Sequence, residues 1–290
     1  MITGSIVALV TPMQLSGAID WSALEQLIEH HIQAGTAALG VVGTTGESAT
    51  LTVPEHLEVI KFSIAQAGGR IPIVAGTGSN STHEAIELTV AAAEAGADAS
   101  LLVTPYYNRP TQEGLYQHFS KVTAAVNLPI ILYNVPGRTG VDMSNETVLR
   151  LSEVGNIVAL KDATGDVQRG AELIRQLPDT FAVYSGDDPT ALELMRHGGK
   201  GNVSVTANVA ASQMAEMCRL ALMGEFDAAA DIDKRLSGLN KALFLEPNPI
   251  PVKWAMAELD MIYDGMRLPL TPLSAEYHAA VKAGIAQAQL

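Results

Sequence analysis

Short apolar runs rich in β-branched residues recur eight times along the first 224 residues, each followed by a polar loop and a longer segment of helical periodicity. The predicted strands are GSIVALV (4–10), ALGVV (38–42), IPIVA (71–75), ASLLV (99–103), PIILY (129–133), NIVAL (156–160), FAVYS (181–185) and NVSV (202–205). The predicted helices cover 20–34, 54–67, 81–95, 111–125, 144–153, 167–176, 188–197 and 208–222. Because the runs are apolar throughout, we expect strands buried on both faces, as in a parallel sheet covered by helices.

The number and length of these units indicate the fold class. Eight strand–helix units in about 222 residues are typical of an α/β protein with a (β/α)₈ barrel. The alternative, a doubly wound open sheet, rarely needs eight equal units. After residue 224 the strand pattern stops, and helices are predicted over 225–243, 250–260 and 273–288, with a break at the prolines Pro247, Pro249 and Pro251. The sequence therefore predicts a barrel of residues 1–224 followed by a small helical region of residues 225–290.

Local signals mark several of the predicted helix ends. Thr52, with Glu55 three residues later, predicts a capping box. Asp188 followed by Pro189 predicts an N-cap with a proline at the first helical position. Glycines that follow three of the helices predict their C-terminal ends: Gly35, Gly68 and Gly96.

Composition excludes several classes of protein. Of the 290 residues 48% are hydrophobic and 17% charged, which supplies a large core and argues against disorder. The net charge of −13 argues against non-specific binding to nucleic acid, which needs clustered lysine and arginine. A single cysteine, Cys218, fits a reducing compartment, and we expect it in the core. The N-terminal MITGSIVALVTPMQ fits neither a signal peptide nor a membrane span, so a cytoplasmic protein is expected.

One lysine stands at a predicted strand end. In a (β/α)₈ barrel the functional site lies at the C-terminal ends of the strands, and Lys161 directly follows the sixth apolar run. Desolvation at the barrel mouth disfavours the charged ammonium and favours the free amine, which forms Schiff bases with carbonyl substrates. The alternative is a strand-end lysine paired with a carboxylate such as Asp187. Position alone does not decide between these two interpretations.

A tyrosine ends the preceding predicted strand. Neighbouring parallel strands would bring Tyr133 close to Lys161, where its hydroxyl could move protons during imine formation. Taken alone, Tyr133 is more typical of a wall residue whose hydroxyl is merely hydrogen-bonded. The presence of both side chains at neighbouring strand ends favours a catalytic role over a structural one.

Three further loops offer groups for binding. The segment Gly43–Glu47 carries two threonine hydroxyls and backbone N–H groups that could bind a carboxylate. The same pattern is also typical of an ordinary strand-to-helix turn. Arg138 could bind a carboxylate through two hydrogen bonds, or it could be a solvated loop residue. Tyr106 and Tyr107 predict an aromatic surface contact or a subunit interface.

Cofactor chemistry has no sequence support. None of the seven histidines falls at a predicted strand end, and the metal motifs HxH and HExxH are absent, which argues against zinc. No GxGxxG or Walker motif predicts a nucleotide, and the loop VTANVA lacks the glycines of a barrel phosphate site, which argues against pyridoxal phosphate. We therefore expect neither a cofactor nor a metal.

Six motifs in order along the chain resemble one family. They are GTTGES (43–48), TPYYNRP (104–110), YNVPGRTG (133–140), LKDATGD (160–166), SGDD (185–188) and EPNPIPVKW (246–254). Together they resemble the dihydrodipicolinate synthase family of pyruvate-dependent class I aldolases, and the resemblance includes the C-terminal helical region. It implies a lyase that condenses pyruvate with L-aspartate-4-semialdehyde through a lysine Schiff base. The product would be 4-hydroxy-tetrahydrodipicolinate, at the first step of the lysine and diaminopimelate branch of amino-acid biosynthesis.

The resemblance also implies roles for individual residues. Lys161 would form the Schiff base, with Tyr133 as general acid and base. Thr44 and Tyr107 would complete a proton relay, Tyr107 reaching in from a neighbouring subunit of a homo-oligomer, usually a tetramer. The residues implied in substrate binding are Thr45 for the pyruvate carboxylate, Arg138 for the semialdehyde carboxylate, and Gly186 and Val203 in the pocket wall. No cofactor is implied, because the imine itself withdraws the electrons.

The family's allosteric site for L-lysine is matched in part. The matching residues are Ser48, Ala49, His56, Asn80, Glu84 and Tyr106. Val53, followed by Pro54, stands where well-known inhibited members have a histidine. The resemblance therefore implies inhibition by L-lysine that is weakened.

Two other functions remain open at this point. A sister enzyme, such as an N-acetylneuraminate lyase or a sugar-acid aldolase, would use the same lysine and tyrosine on another aldehyde. The Thr44–Thr45 pair and Arg138 favour the semialdehyde, because a small acidic acceptor needs a partner for its carboxylate. A non-catalytic barrel that senses pyruvate or lysine would leave Lys161 and Tyr133 without a joint purpose.

Overall fold

The computed structural model describes residues 1–289 and shows a closed barrel of eight parallel strands that pair in sequence order. The strands are β1 (Gly4–Ala8), β2 (Ala38–Val41), β3 (Ile73–Gly76), β4 (Ala99–Val103), β5 (Ile130–Asn134), β6 (Ile157–Asp162), β7 (Ala182–Ser185) and β8 (Gly201–Ser204). Strand β8 closes the barrel on β1, with Val203 opposite Ile6. The predicted fold class and the number of strands are confirmed.

Helices surround the barrel and follow it. They are α1 (Trp21–Gln33), α2 (Val53–Ala67), α3 (Thr82–Ala95), α4 (Gln112–Ala125), α5 (Pro136–Thr139), α6 (Asn145–Ser152), α7 (Val167–Ile174), α8 (Ala191–Arg196), α9 (Ala211–Leu222), α10 (Phe226–Ala242), α11 (Ile250–Glu258) and α12 (Ala275–Ala288). One-turn 3₁₀ helices lie at Ser48–Thr50, Asp188–Thr190 and Thr206–Asn208. The short α5 lies in a segment that the sequence predicted as a loop. Among residues 1–289, no helix is both long and apolar enough to cross a membrane.

Most of the predicted helix ends are confirmed. Thr52 caps α2 in a full capping box, its backbone N–H donating to Glu55 at 2.9 Å. The three glycines predicted at C-terminal ends all take positive φ, which lets the chain leave the helix without a Cβ clash: Gly35, Gly68 and Gly96.

The N-cap prediction for Asp188 is wrong. Its carboxylate is buried and accepts hydrogen bonds from the backbone N–H groups of Val205 at 3.0 Å and Thr206 at 2.9 Å. It also accepts from the side-chain amide of Asn202 at 2.7 Å. A buried carboxylate with three donors beyond its own segment is not free to cap a helix, so α8 begins only at Ala191, after a 3₁₀ turn.

The core extends from the barrel into the C-terminal helices. One buried apolar cluster contains Leu27 of α1, Met217 of α9, Leu236 of α10 and Val281 of α12. Cys218 is fully buried in the same cluster, as predicted. Because the two parts share this cluster, the division into residues 1–224 and 225–290 stays a prediction. A second cluster, which includes Ile6, Val74 and Tyr133, fills the barrel interior.

Candidate functional site

The predicted lysine and tyrosine meet at the C-terminal ends of two adjacent strands. Tyr133 of β5 and Lys161 of β6 are paired in register, so both side chains point to the same face of the sheet. The Lys161 Nζ lies 4.1 Å from the centroid of the Tyr133 ring. The two residues are only 6% and 7% exposed. Apolar β-strands thus place an amine and a phenol in contact within a largely dry pocket.

The alternative of a lysine–carboxylate pair finds no support. The carboxylate of Asp187 accepts a hydrogen bond from the Thr190 hydroxyl at 2.7 Å, within its own turn. Among the residues that the structure describes, Lys161 makes no ion pair. Its amine is therefore not occupied by a counter-ion of this kind.

Gly186 packs directly against the lysine side chain. A Cβ at this position would lie 2.8 Å from Lys161 Cε and 2.8 Å from Ala163 Cβ, closer than side chains tolerate. The backbone N–H of Gly186 donates to the carbonyl of Asp162 at 2.7 Å, which fixes the glycine beside β6. Val203 belongs to the barrel-interior cluster that includes Tyr133. Of the two predicted wall residues, Gly186 thus contacts the lysine directly, and Val203 shares the barrel interior with Tyr133.

A loop with two hydroxyls follows β2, and we call residues 43–47 the hydroxyl loop. The N–H of Glu47 donates to the Thr44 carbonyl at 3.1 Å, and that of Ser48 donates to the Gly43 carbonyl at 3.3 Å. Thr45 is buried, whereas Thr44 is partly exposed and lines the cavity described below. The loop is therefore a tight turn that presents a hydroxyl to the barrel mouth.

Asn248 connects the two predicted carboxylate-binding residues. Its side-chain amide donates to the Thr45 hydroxyl at 2.9 Å, and its backbone carbonyl accepts from the Arg138 guanidinium at 3.0 Å. Sequence reasoning missed this residue as a site component, although it lies in one of the six motifs. Its position 203 residues from Thr45 explains the omission, because no local pattern reports so distant a contact.

A cavity of about 400 Å³ lies beside these groups. Its lining includes the relay candidate Thr44, the substrate-binding candidate Arg138 and Asn248. It also includes five of the six residues matched to the lysine site: Ser48, Ala49, His56, Glu84 and Tyr106. Asn80, the sixth, does not line it; its carbonyl accepts from the Asn108 side chain at 2.8 Å. A smaller cavity of about 40 Å³ is lined by Thr44, Ser48, His56 and Tyr133. It therefore lies between the residues matched to the lysine site and the lysine–tyrosine pair.

His56 contributes a neutral ring, and not a cation, to the cavity wall. Burial lowers the pKa of His56 below its ordinary value, so the ring is uncharged at neutral pH. Its Nε2 lies 2.7 Å from the Gly76 carbonyl, to which the neutral ring donates. Glu84 accepts a hydrogen bond from the Ser79 hydroxyl. Val53 is 50% exposed at the same cavity and contributes only methyl groups where a histidine would offer a ring nitrogen.

The aromatic pair after β4 faces outward. Tyr107 is 90% exposed and takes a positive φ of 71°, an uncommon conformation for a residue with a side chain. It does not line the cavity, whereas Tyr106 does. The structure therefore does not bring Tyr107 to Lys161 of its own chain.

Fold and site together define a class of protein, a (β/α)₈ barrel with a buried lysine–tyrosine pair at the C-terminal strand ends. The chain belongs to the dihydrodipicolinate synthetase family, whose model matches residues 1–288. The family predicted from the six motifs is confirmed. A 4-hydroxy-tetrahydrodipicolinate synthase of Pseudomonas aeruginosa is 58% identical over 287 residues, covering 99% of this chain and 98% of that one.

Solved structures agree in fold over the whole chain. The chloride-inhibited dihydrodipicolinate synthase of Acinetobacter baumannii, complexed with pyruvate, is 56% identical with a TM-score of 0.98, covering 100% of this chain and 99% of that one. The enzyme of Cyanidioschyzon merolae with lysine bound is 40% identical with a TM-score of 0.95, covering 99% and 98%. Both the barrel and the C-terminal helices are thus shared with these proteins.

Proposed function

We propose that this chain is a lyase that condenses pyruvate with L-aspartate-4-semialdehyde to give 4-hydroxy-tetrahydrodipicolinate. It would act in the cytoplasm, at the first step of the lysine and diaminopimelate branch. The observation that carries the proposal is the buried contact between Lys161 and Tyr133, with no carboxylate paired to the amine among residues 1–289. The names of the relatives support the choice of reaction.

The chemistry follows from an amine beside a phenol. The Lys161 amine adds to the ketone carbon of pyruvate, and loss of water gives an imine. The imine acidifies the pyruvate methyl group, and loss of one proton gives an enamine whose carbon attacks the aldehyde. The amine of the second substrate then displaces Lys161 as the ring closes, which frees the enzyme. The Tyr133 ring contacts the Lys161 amine, which supports the Tyr133 hydroxyl as the carrier of these protons. Thr44, which lines the same small cavity, would be the next hydroxyl in a relay.

Two carboxylates need two receptors. The hydroxyl loop, with Thr45, would hold the pyruvate carboxylate, because hydroxyls and backbone N–H groups donate to carboxylates. Arg138 would hold the semialdehyde carboxylate. Asn248 contacts both residues, so the two receptors keep a fixed separation. Gly186 and Val203 would shape the wall between them.

The substrate assignment is tested with a panel of aldehydes. Purified protein is given pyruvate with either aspartate semialdehyde or N-acetylmannosamine, and N-acetylneuraminate cleavage is measured in parallel. We expect turnover of aspartate semialdehyde to exceed the others by at least about a hundredfold, since a polyol offers the Arg138 guanidinium no carboxylate. Faster turnover of N-acetylneuraminate would assign the sister activity instead. A wild-type protein that binds pyruvate or L-lysine but turns over none of these substrates would instead be a non-catalytic sensor.

The exposure of Tyr107 supports an oligomer. A tyrosine 90% exposed at the barrel mouth can reach a neighbouring subunit, where it would complete the relay with Thr44 and Tyr133. We expect a homo-oligomer, most simply a tetramer, in sedimentation velocity at micromolar concentration. Tyr107→Phe should lower kcat about tenfold or more through loss of a proton carrier. A monomer with full activity would contradict the assignment of Tyr107.

Inhibition by L-lysine should be present but weakened. Five of the six matched residues line the shared cavity, which supports an effector site, and Val53 lacks the ring nitrogen of a histidine. Initial rates at increasing L-lysine should fall only at high concentration, and Val53→His should shift the curve to lower concentration. Full inhibition at low concentration in the unaltered protein, or none at saturation, would contradict this proposal.

A further inference from the structure

A fully buried ion pair joins the hydroxyl loop to the C-terminal helices. The side chains of Lys253, in α11, and Glu47 are both 0% exposed, and the Lys253 Nζ lies 2.5 Å from the Glu47 Oε1. The ammonium also donates to the carbonyl of Thr11 at 3.1 Å, and the second carboxylate oxygen accepts from the backbone N–H of Arg267 at 3.3 Å. Removing two charges from water is costly, and a buried pair of this kind is often no more stabilising than apolar residues of similar volume. Its presence therefore calls for a role besides stability.

The carboxylate partner ends the hydroxyl loop in an unusual conformation. Glu47 takes a φ of +56°, in the left-handed region that few residues with a side chain adopt. Its backbone N–H closes the loop on the Thr44 carbonyl, and its own carbonyl accepts from the N–H of Thr50 at 3.0 Å. A change in this conformation would move the loop backbone, and with it the hydroxyls of Thr44 and Thr45.

The lysine partner comes from the segment that already contacts the loop. Helix α11 begins two residues after Asn248, whose amide donates to the Thr45 hydroxyl. Thr11, the carbonyl partner of Lys253, itself donates through its hydroxyl to the Gly46 carbonyl at 2.7 Å. The ammonium thus lies where the loops after β1 and β2 meet the C-terminal helices, and its contacts hold the hydroxyl loop from behind.

We infer that Glu47 and Lys253 are positioning residues that hold the hydroxyl loop in the conformation that receives the pyruvate carboxylate. Glu47 borders the cavity of about 400 Å³ and Lys253 does not, and neither lines the small cavity beside Tyr133. Both therefore act on the reacting pair through Thr44 and Thr45. The inference rests on the proposed function, in which the hydroxyl loop binds pyruvate through Thr45 and supplies Thr44 to the proton relay. It predicts a defect in pyruvate binding that is larger than the defect in semialdehyde binding, whose receptor is Arg138.

The test compares stability with substrate affinity in the full-length protein. The variants are Glu47→Gln, Lys253→Met and the double variant, with Lys282→Met as the matched control. Lys282 pairs with Glu258 of the same helix α11 at 2.8 Å, but it is exposed and distant in sequence from the loop. For each variant, KM for both substrates, kcat and the urea midpoint are measured.

Lys253→Met alone leaves an unpaired buried carboxylate and should unfold at lower urea, whereas the double variant should recover most of that loss. The pyruvate KM of the double variant should nevertheless stay raised about tenfold, because a misplaced loop binds poorly whatever its stability. The semialdehyde KM should stay within about twofold of wild type. Recovery of the pyruvate KM together with the urea midpoint would overturn the inference, as would an equal rise in both KM values.

A more conservative variant tests the same inference if the variants above do not fold. Glu47→Asp keeps the charge but shortens the side chain by one methylene, so a raised pyruvate KM is expected, and an unchanged KM would overturn the inference. Wild-type protein without any turnover of pyruvate would refute the proposed function itself. Normal wild-type turnover, with unchanged pyruvate KM in all folded variants, would refute only the positioning role.

Discussion

The absence of a side chain at Gly186 leaves space for the reactive lysine. In Gly186→Ala the new methyl carbon would lie 2.8 Å from Lys161 Cε, 3.1 Å from Lys161 Cγ and 2.8 Å from Ala163 Cβ. The backbone φ of Gly186 is not positive, so alanine is strained only by these contacts. Of the three neighbours, the lysine chain end moves most easily. The substitution should therefore displace the amine from Tyr133 rather than unfold the barrel.

The magnitude follows from the cost of overpacking, which is about 1–3 kcal/mol for an extra methyl group in a packed site. If the lysine relieves the clash by moving, most of this cost falls on the reaction and not on folding. At about 1.4 kcal/mol per factor of ten, kcat/KM should fall about tenfold to a hundredfold. The free energy of unfolding should drop by no more than about 1 kcal/mol.

Two rates are measured: the steady-state rate of the condensation, and the rate at which the borohydride-trapped pyruvate adduct forms. Two glycine-to-alanine controls bracket the effect. Gly170→Ala would bring a methyl 2.6 Å from Leu194 Cδ1, stressing the helix packing without touching Lys161, and Gly155 has nothing within 4 Å. We expect Gly170→Ala to lose stability and Gly155→Ala to lose nothing, both with normal adduct formation. A Gly186→Ala variant that forms the adduct at the wild-type rate would show that the methyl group does not displace Lys161.

Three further predictions concern single side chains. Tyr133→Phe should keep the ring against Lys161 but lower kcat by about a hundredfold or more, measured in the condensation assay, because it removes the proton carrier. Burial lowers the pKa of His118 from 6.5 to about 4. The unfolded chain therefore takes up this proton first as the pH drops below 6.5, and the free energy of unfolding falls by up to about 3 kcal/mol toward pH 4. Urea unfolding across this range should be flatter in His118→Gln, and equal slopes would contradict the assignment. Burial also raises the pKa of the Cys218 thiol to about 12, so at pH 8 a thiol reagent should label it only after unfolding; rapid labelling of native protein would contradict its burial.

The barrel and its reactive pair could be predicted because their signals are local. Each apolar run shows a strand, and the next polar residue shows where that strand ends. Parallel neighbours then bring Tyr133 and Lys161 together in register, as the structure has them. Capping at Thr52 was equally local and correct.

The supporting contacts could not be predicted, because they join residues that are far apart in the chain. Asn248 reaches Thr45 across 203 positions and Lys253 reaches Glu47 across 206. Lys253 lies in a helix that is buried on most sides, so no polar face marks it as special. At Asp188 a local cap signal was overridden by the buried donors of Val205 and Thr206. Tertiary hydrogen bonds thus determine these contacts and the start of α8, which local sequence propensity does not specify.

The central claim is that Lys161 forms a covalent imine with pyruvate. Protein is incubated with saturating pyruvate, reduced with borohydride, and analysed by intact mass and peptide mapping, with Lys161→Ala and Lys282→Ala treated in parallel. We expect one pyruvate-derived adduct per chain, located on Lys161, present in Lys282→Ala and lost in Lys161→Ala. A folded wild-type protein without an adduct, or with its adduct on another lysine, would show that Lys161 is not the Schiff-base residue.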